Sequence, residues 1–188
     1  QNLLSMFLVV SGSVAALAFP AFSSMDKEGR HQLIIEKSVE ALRYITMIIL
    51  PIAVVIVLFP VATATIIFGG DFANSGKTIN FLAISVFLNA LATIFFTQLY
   101  AVNAPKKVAM IYIVGMLLNA CLLTVLVPTE ILGVQLFGLS YVGAAMASLA
   151  TYLLIFLLAL YQSNRRFHFN FNYRRIFKFG LAAAITIS

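Results

Sequence analysis

The polar side chains that could take part in chemistry are concentrated in one apolar stretch. Within residues 79–102, Ser85, Asn89, Thr93 and Thr97 recur at every fourth position. In an α-helix this spacing places them on one slowly drifting face, about 18 Å long. Their hydroxyl and amide groups could line a water-filled cavity and bind a hydroxyl-rich substrate, or they could join neighbouring membrane helices. The sequence leaves both interpretations of this polar stripe open.

Two further polar side chains are candidates for the same substrate contact. Asn119 lies in the next apolar stretch, and Tyr100 lies near the end of residues 79–102. The pair Gly143 and Ala147 is a different kind of feature, because two small residues four positions apart let another helix backbone approach closely. We therefore expect helix packing, rather than a binding site, at this pair.

Catalytic and metal-binding patterns are absent from the sequence. It contains no HExxH, no GxSxG and no glycine-rich phosphate loop. His31, His168 and the single cysteine, Cys121, have no partners at metal-ligand spacing. Ionisable side chains are missing from the middle of every apolar stretch, which argues against a proton relay in these stretches. We expect a transporter without a metal or a cofactor, rather than an enzyme.

The composition indicates a membrane protein. Hydrophobic residues make up 62% of the chain and charged residues 10%, with a mean hydropathy of +1.04. Soluble domains carry about 25% charged residues. The few charges could not cover the surface of a soluble fold of 188 residues. This composition predicts an all-α polytopic membrane protein, folded as a helical bundle.

Several apolar stretches have the length of about 20 residues that an α-helix needs to cross a bilayer. The predicted membrane spans are 3–22, 44–67, 79–102, 108–127 and 139–161, followed by a truncated sixth at 176–188. The first stretch has no basic leader, and the last stops within an apolar run. We therefore expect one transmembrane region, 1–188, taken from a longer protein.

Basic residues predict the orientation of these spans. Eleven of the twelve Lys and Arg residues lie in or beside connections 23–43, 103–107 and 162–175, and only Lys77 lies on the other side. Because basic residues near span ends stay in the cytoplasm, these three connections are predicted to be cytoplasmic. Membrane topology alone accounts for the positions of the Lys and Arg residues, so nucleic-acid binding is not expected.

Residues 26–43 form the most charged connection. Apolar and charged side chains alternate there with a helical period, which predicts an amphipathic helix on the cytoplasmic face. Such a helix could act as a gate or coupling element, or simply as a solvated connector.

Three prolines are candidate hinges. Pro51 and Pro60 share one predicted span, and broken helices of this kind recur in transporters. Pro20 lies near the end of the first span, where it is expected to kink or end the last turn. Ser23 and Ser24 follow it and are expected to cap the next helix.

Four segments of the chain form a recognisable series: "ALAFPAFSSM", "YITMIILPIAVVIVLF", "TIIFGGDFANSGKTINFLAISVFLNAL" and "GLSYVGAAMASLATYLL". In order and spacing they resemble the polysaccharide and oligosaccharide flippases of the MATE-like MOP superfamily (multidrug, oligosaccharidyl-lipid, polysaccharide). The resemblance implies that the chain belongs to the carboxy-terminal lobe of a protein with twelve to fourteen spans, beginning at the eighth.

The same resemblance implies a function. Such flippases move lipid-linked oligosaccharide or polysaccharide precursors across the cytoplasmic membrane by alternating access between two lobes. The implied partners are a lipid-linked glycan, membrane lipids and an amino-terminal lobe outside this chain. The family's cationic cavity residues largely have no counterpart within these spans, which contain no Lys or Arg away from their ends.

Three other functions remain open from the sequence. A cation-coupled multidrug antiporter of the same superfamily would need an ion-binding acid outside these spans. A membrane-embedded glycan-processing enzyme would need charged groups such as Arg165, Arg166, Arg174 and Arg175 at the membrane face. For a structural scaffold, the polar stripe would be dispensable.

Overall fold

The computed structural model describes residues 2–70, 76–128, 130–131, 134–135 and 138–167. Within these residues the elements are α1 (Asn2–Lys27), α2 (His31–Leu58), α3 (Pro60–Phe68), α4 (Gly76–Ala101), α5 (Pro105–Leu126), β1 (Glu130–Ile131), β2 (Val134–Gln135) and α6 (Ser140–Phe167). The strands β1 and β2 form a small antiparallel hairpin between α5 and α6.

Five of the helices, α1, α2, α4, α5 and α6, are long and apolar enough to cross a membrane. The predicted class, an all-α polytopic membrane protein, is therefore confirmed. The truncated span predicted at 176–188 lies outside the described residues, as does the connection after Phe167.

One continuous helix replaces two predicted elements. Helix α2 runs unbroken from His31 to Leu58. It contains most of the amphipathic helix predicted over 26–43 and the first part of the span predicted over 44–67. The break comes later, at Phe59, whose backbone leaves the helical region with φ −123° and ψ 56°. Pro60 then opens α3, because proline lacks the backbone donor that a helix interior needs but suits its first position.

Pro20 does not end α1, so of the two outcomes expected there, a kink or a terminated last turn, the second was wrong. The helix continues to Lys27, and Pro20 and Pro51 both lie inside helices on exposed faces. Ending a helix within a bilayer would leave several backbone groups unpaired, whereas an internal proline removes one donor. The expected capping by Ser23 and Ser24 was also wrong, since Arg30 occupies the N-cap of α2.

Helix α4 is the centre of the bundle and contacts each of the five other helices. Three buried apolar clusters hold the bundle together. The α2–α4 cluster is Ile45, Ile49, Ile56, Ala83, Val86, Ala90 and Ile94. The central cluster is Ala92, Phe95, Phe96, Leu99, Val108, Ile111, Ile155 and Ala159. The inner-end cluster is Phe22, Ile34, Ala101, Val102 and Phe167.

The inner-end cluster lies where α1 gives way to α2, where α4 ends and where α6 ends. We call this side of the bundle the inner end. The chain turns there from α1 into α2 at Gly29, whose φ of 70° suits a glycine. The inner end therefore brings the termini of four helices together.

Helices α5 and α6 approach each other closely at two glycines. A Cβ atom on Gly115 would lie 2.7 Å from Cδ1 of Ile155. A Cβ atom on Gly143 would lie 2.7 Å from the backbone oxygen of Leu126. Only a residue without a side chain fits at Gly143 without moving the backbone, so the two helices form a tight hairpin.

Candidate functional site

The two ends of the polar stripe lie inside the bundle. Ser85 is fully buried, and its hydroxyl donates to the backbone oxygen of Phe81 at 2.6 Å. Thr97 is 5% exposed, and its hydroxyl donates to the backbone oxygen of Thr93 at 2.8 Å. Because both hydroxyls already donate within their own helix, their surroundings favour a packing role over substrate contact.

The middle of the stripe is more open. Asn89 and Thr93 are half-buried, and the Thr93 hydroxyl donates to the backbone oxygen of Asn89 at 2.9 Å. The Asn89 carboxamide has no hydrogen-bond partner in the described part of the chain, which leaves two donors and an acceptor free. Asn89 is therefore the stripe residue best able to bind a further polar group.

The remaining two candidates lie elsewhere. Asn119 joins α5 to α6, because its Nδ2 donates to Oγ1 of Thr151 at 3.1 Å. Tyr100 lies at the inner end of α4 and is 46% exposed. The six predicted contact residues thus occupy three places: the polar stripe, the α5–α6 contact and the exposed inner end of α4.

One polar contact was missed from the sequence. Gln98 on α4 and Ser163 on α6 are both fully buried, and the Ser163 hydroxyl donates to Oε1 of Gln98. The available signal was a long amide side chain inside an apolar span, directly after Thr97. Gln98 was not among the candidates because it does not fall on the four-residue spacing of the polar stripe.

Ion pairs gather at the inner end. Nζ of Lys37 lies 2.7 Å from a carboxylate oxygen of Glu40, and Nδ1 of His31 lies 3.5 Å from Oδ1 of Asp26. Pairs this exposed contribute little to stability. Charges at one end of a bundle suit the membrane interface, where the apolar helices meet water. Within the described ranges, no three metal-ligating side chains come together.

Hydrogen-bonding capacity inside the bundle is thus carried by neutral groups. Asn89 offers a free carboxamide, whereas the charged side chains of α2 lie toward its inner end. Neutral amides and hydroxyls can bind sugar hydroxyls, but they cannot shuttle protons as carboxylates do.

Comparisons with known proteins identify the family. No curated protein and no solved structure gives a significant match to this chain. Residues 2–188 match the family described as "Lipid II flippase MurJ". The match agrees with the resemblance to flippases of lipid-linked substrates and names a narrower group than the polysaccharide flippases. Because it covers nearly the whole chain, this protein belongs to the MurJ family of membrane flippases.

Proposed function

We propose that this protein translocates a lipid-linked glycan precursor, with lipid II as the substrate, across the cytoplasmic membrane by alternating access. The family match over residues 2–188 is the observation that carries the proposal. The five apolar helices supply the membrane-spanning part that such a transporter requires. An amino-terminal lobe outside this chain is proposed to complete the cavity.

Asn89, supported by Thr93, is the proposed contact for the glycan. Sugars present many hydroxyl groups, and a carboxamide can donate to one and accept from another. The half-buried position of Asn89 excludes part of the surrounding water, which strengthens such hydrogen bonds. Ser85 and Thr97 then support the shape of α4 rather than contact the glycan.

The Phe59–Pro60 break is the proposed flexible point of this lobe. It separates α2 from α3, so the two helices can change their relative angle without breaking a helical turn. Pro20 and Pro51 lie within continuous helices and are secondary hinge candidates. The proposed orientation keeps connections 23–43, 103–107 and 162–175 in the cytoplasm, as the basic residues predict.

Replacing Asn89 with leucine tests the proposed contact. In the full-length protein, Asn89→Leu is expected to lower lipid II translocation about tenfold, since losing one or two hydrogen bonds to the substrate costs roughly 1–2 kcal/mol. Thr93→Val should have a smaller effect, because the Thr93 hydroxyl already donates to the backbone of α4. The measurement is the initial translocation rate in proteoliposomes.

Leu117→Ala is the matched control, because Leu117 is 66% exposed on α5 and lies outside the stripe. It should translocate at the wild-type rate. Wild-type translocation by Asn89→Leu, at equal protein density, would exclude Asn89 as a substrate contact. It would leave the family assignment unaffected.

A further inference from the structure

Three polar side chains on three different helices are fully buried. They are Ser38 on α2, Gln98 on α4 and Ser163 on α6, each with 0% exposure. We call them the polar layer. None belongs to the proposed glycan contact, so their burial inside an apolar bundle requires a separate explanation.

Apolar clusters enclose the polar layer on both sides. One helical turn toward the outer end, the same three helices contribute Leu42, Phe95 and Ala159 to the central cluster or its edge. One turn toward the inner end, they contribute Ile34, Ala101 and Phe167 to the inner-end cluster. The spacing is three or four residues in every case, so the register of the three helices sets the layer between two apolar contacts.

The hydrogen bonds of the layer are incomplete. The Ser163 hydroxyl donates to Oε1 of Gln98, and the Ser38 hydroxyl donates to the backbone oxygen of Ile34 at 2.6 Å. Nε2 of Gln98 has no acceptor among the described residues, although it carries two N–H groups. The Ser38 oxygen keeps lone pairs that can accept a hydrogen bond.

A buried donor without an acceptor is unfavourable, and more so away from water in a membrane. An apolar side chain of similar length would fill the same space without that cost. The carboxamide is therefore better explained by a second arrangement of the helices, in which its N–H groups gain an acceptor. Ser38 is suited to this role, because its register places it between the same two apolar clusters as Gln98, on a helix that ends at the Phe59–Pro60 break.

We propose that the polar layer is a conformational latch of the transport cycle. In the described conformation, Gln98 is held to α6 through its Oε1. In the second conformation, α2 moves relative to α4, and Nε2 of Gln98 donates to Oγ of Ser38. This inference rests on the proposed function, since the second conformation is a step of alternating access.

Two variants of the full-length protein test the latch. Ser38→Ala removes the acceptor of the second state and leaves the Gln98–Ser163 bond intact, whereas Gln98→Met removes both contacts and preserves side-chain length. Each is expected to slow lipid II translocation about tenfold, the effect of about one hydrogen bond. Ser38→Ala should do so with no decrease in melting temperature, because it leaves the Gln98–Ser163 bond in place. The control is Ser148→Ala, because the Ser148 hydroxyl donates within its own helix to Ala144 at 2.9 Å.

The control should retain both translocation and melting temperature. Wild-type translocation by Ser38→Ala would overturn the latch, as would a loss of translocation matched by an equal loss of thermal stability, which shows a purely structural role. Absent translocation by the unmodified protein would instead contradict the proposed function.

Deuterium uptake over residues 34–42 distinguishes a failure of the latch from a failure of the proposed function, because this measurement needs no substrate. Ser38→Ala is expected to change uptake there, since it removes the second-state bond between α2 and α4 and leaves the Gln98–Ser163 bond in place. Uptake equal to that of the unmodified protein in this variant would overturn the latch, whatever the protein transports.

Discussion

Gly143→Val is expected to lower the free energy of unfolding by about 3 kcal/mol, at the upper end of the range for overpacking a close contact. The added Cβ would lie 2.7 Å from the backbone oxygen of Leu126 and 3.0 Å from its carbonyl carbon. Backbone atoms cannot rotate away as a side chain can, so the α5–α6 hairpin must open to accept the valine. Thermal unfolding in detergent, followed by helical circular dichroism, measures the loss.

Gly12→Val is the matched control on α1, because a Cβ there would meet nothing within 4 Å. It introduces the same side chain into another helix and should leave the melting temperature nearly unchanged. Gly115→Ala should fall between the two, since the atoms it meets belong to the flexible side chain of Ile155. Equal melting temperatures for Gly143→Val and Gly12→Val would contradict the close packing of the hairpin.

Phe95→Ala is expected to cost about 3–5 kcal/mol of unfolding free energy, because it leaves a cavity in the central cluster. Phe95 is 2% exposed, and its ring lies 6.0 Å from the ring of Phe156, measured between centroids. The ring packs at the junction of α4, α5 and α6, so its removal loosens three helices at once. The same unfolding measurement applies.

The control for Phe95→Ala is again Leu117→Ala, which shortens an exposed side chain and should cost well under 1 kcal/mol. Both variants replace a large apolar residue with alanine. The difference between their losses of unfolding free energy therefore measures the cost of the cavity. A Phe95→Ala loss no larger than that of Leu117→Ala would show that the central cluster does not hold the bundle together.

The general architecture could be predicted from the sequence because apolar length and charge placement are direct physical requirements of a bilayer. The effects of individual prolines were harder to predict. The same residue type lies inside a continuous helix at Pro20 and Pro51 but opens a new helix at Pro60. Local sequence does not distinguish these outcomes, since they depend on whether packing neighbours tolerate an interrupted helix.

The candidate site was predicted only in part. Spacing alone placed Ser85, Asn89, Thr93 and Thr97 on one face, but it could not show which of them neighbouring helices enclose. Of the four side chains, Asn89 alone has no hydrogen-bond partner among the described residues. The polar layer could not be predicted, because Ser38, Gln98 and Ser163 lie far apart in sequence and are buried only through the packing of three helices.

Translocation of lipid II by the purified full-length protein in proteoliposomes tests the central claim most directly. We predict protein-dependent movement of lipid II between leaflets, while an ordinary phospholipid probe in the same vesicles moves no faster than in protein-free vesicles. Equal movement of lipid II with and without the protein, or movement only of cationic drugs, would contradict the proposed flippase function.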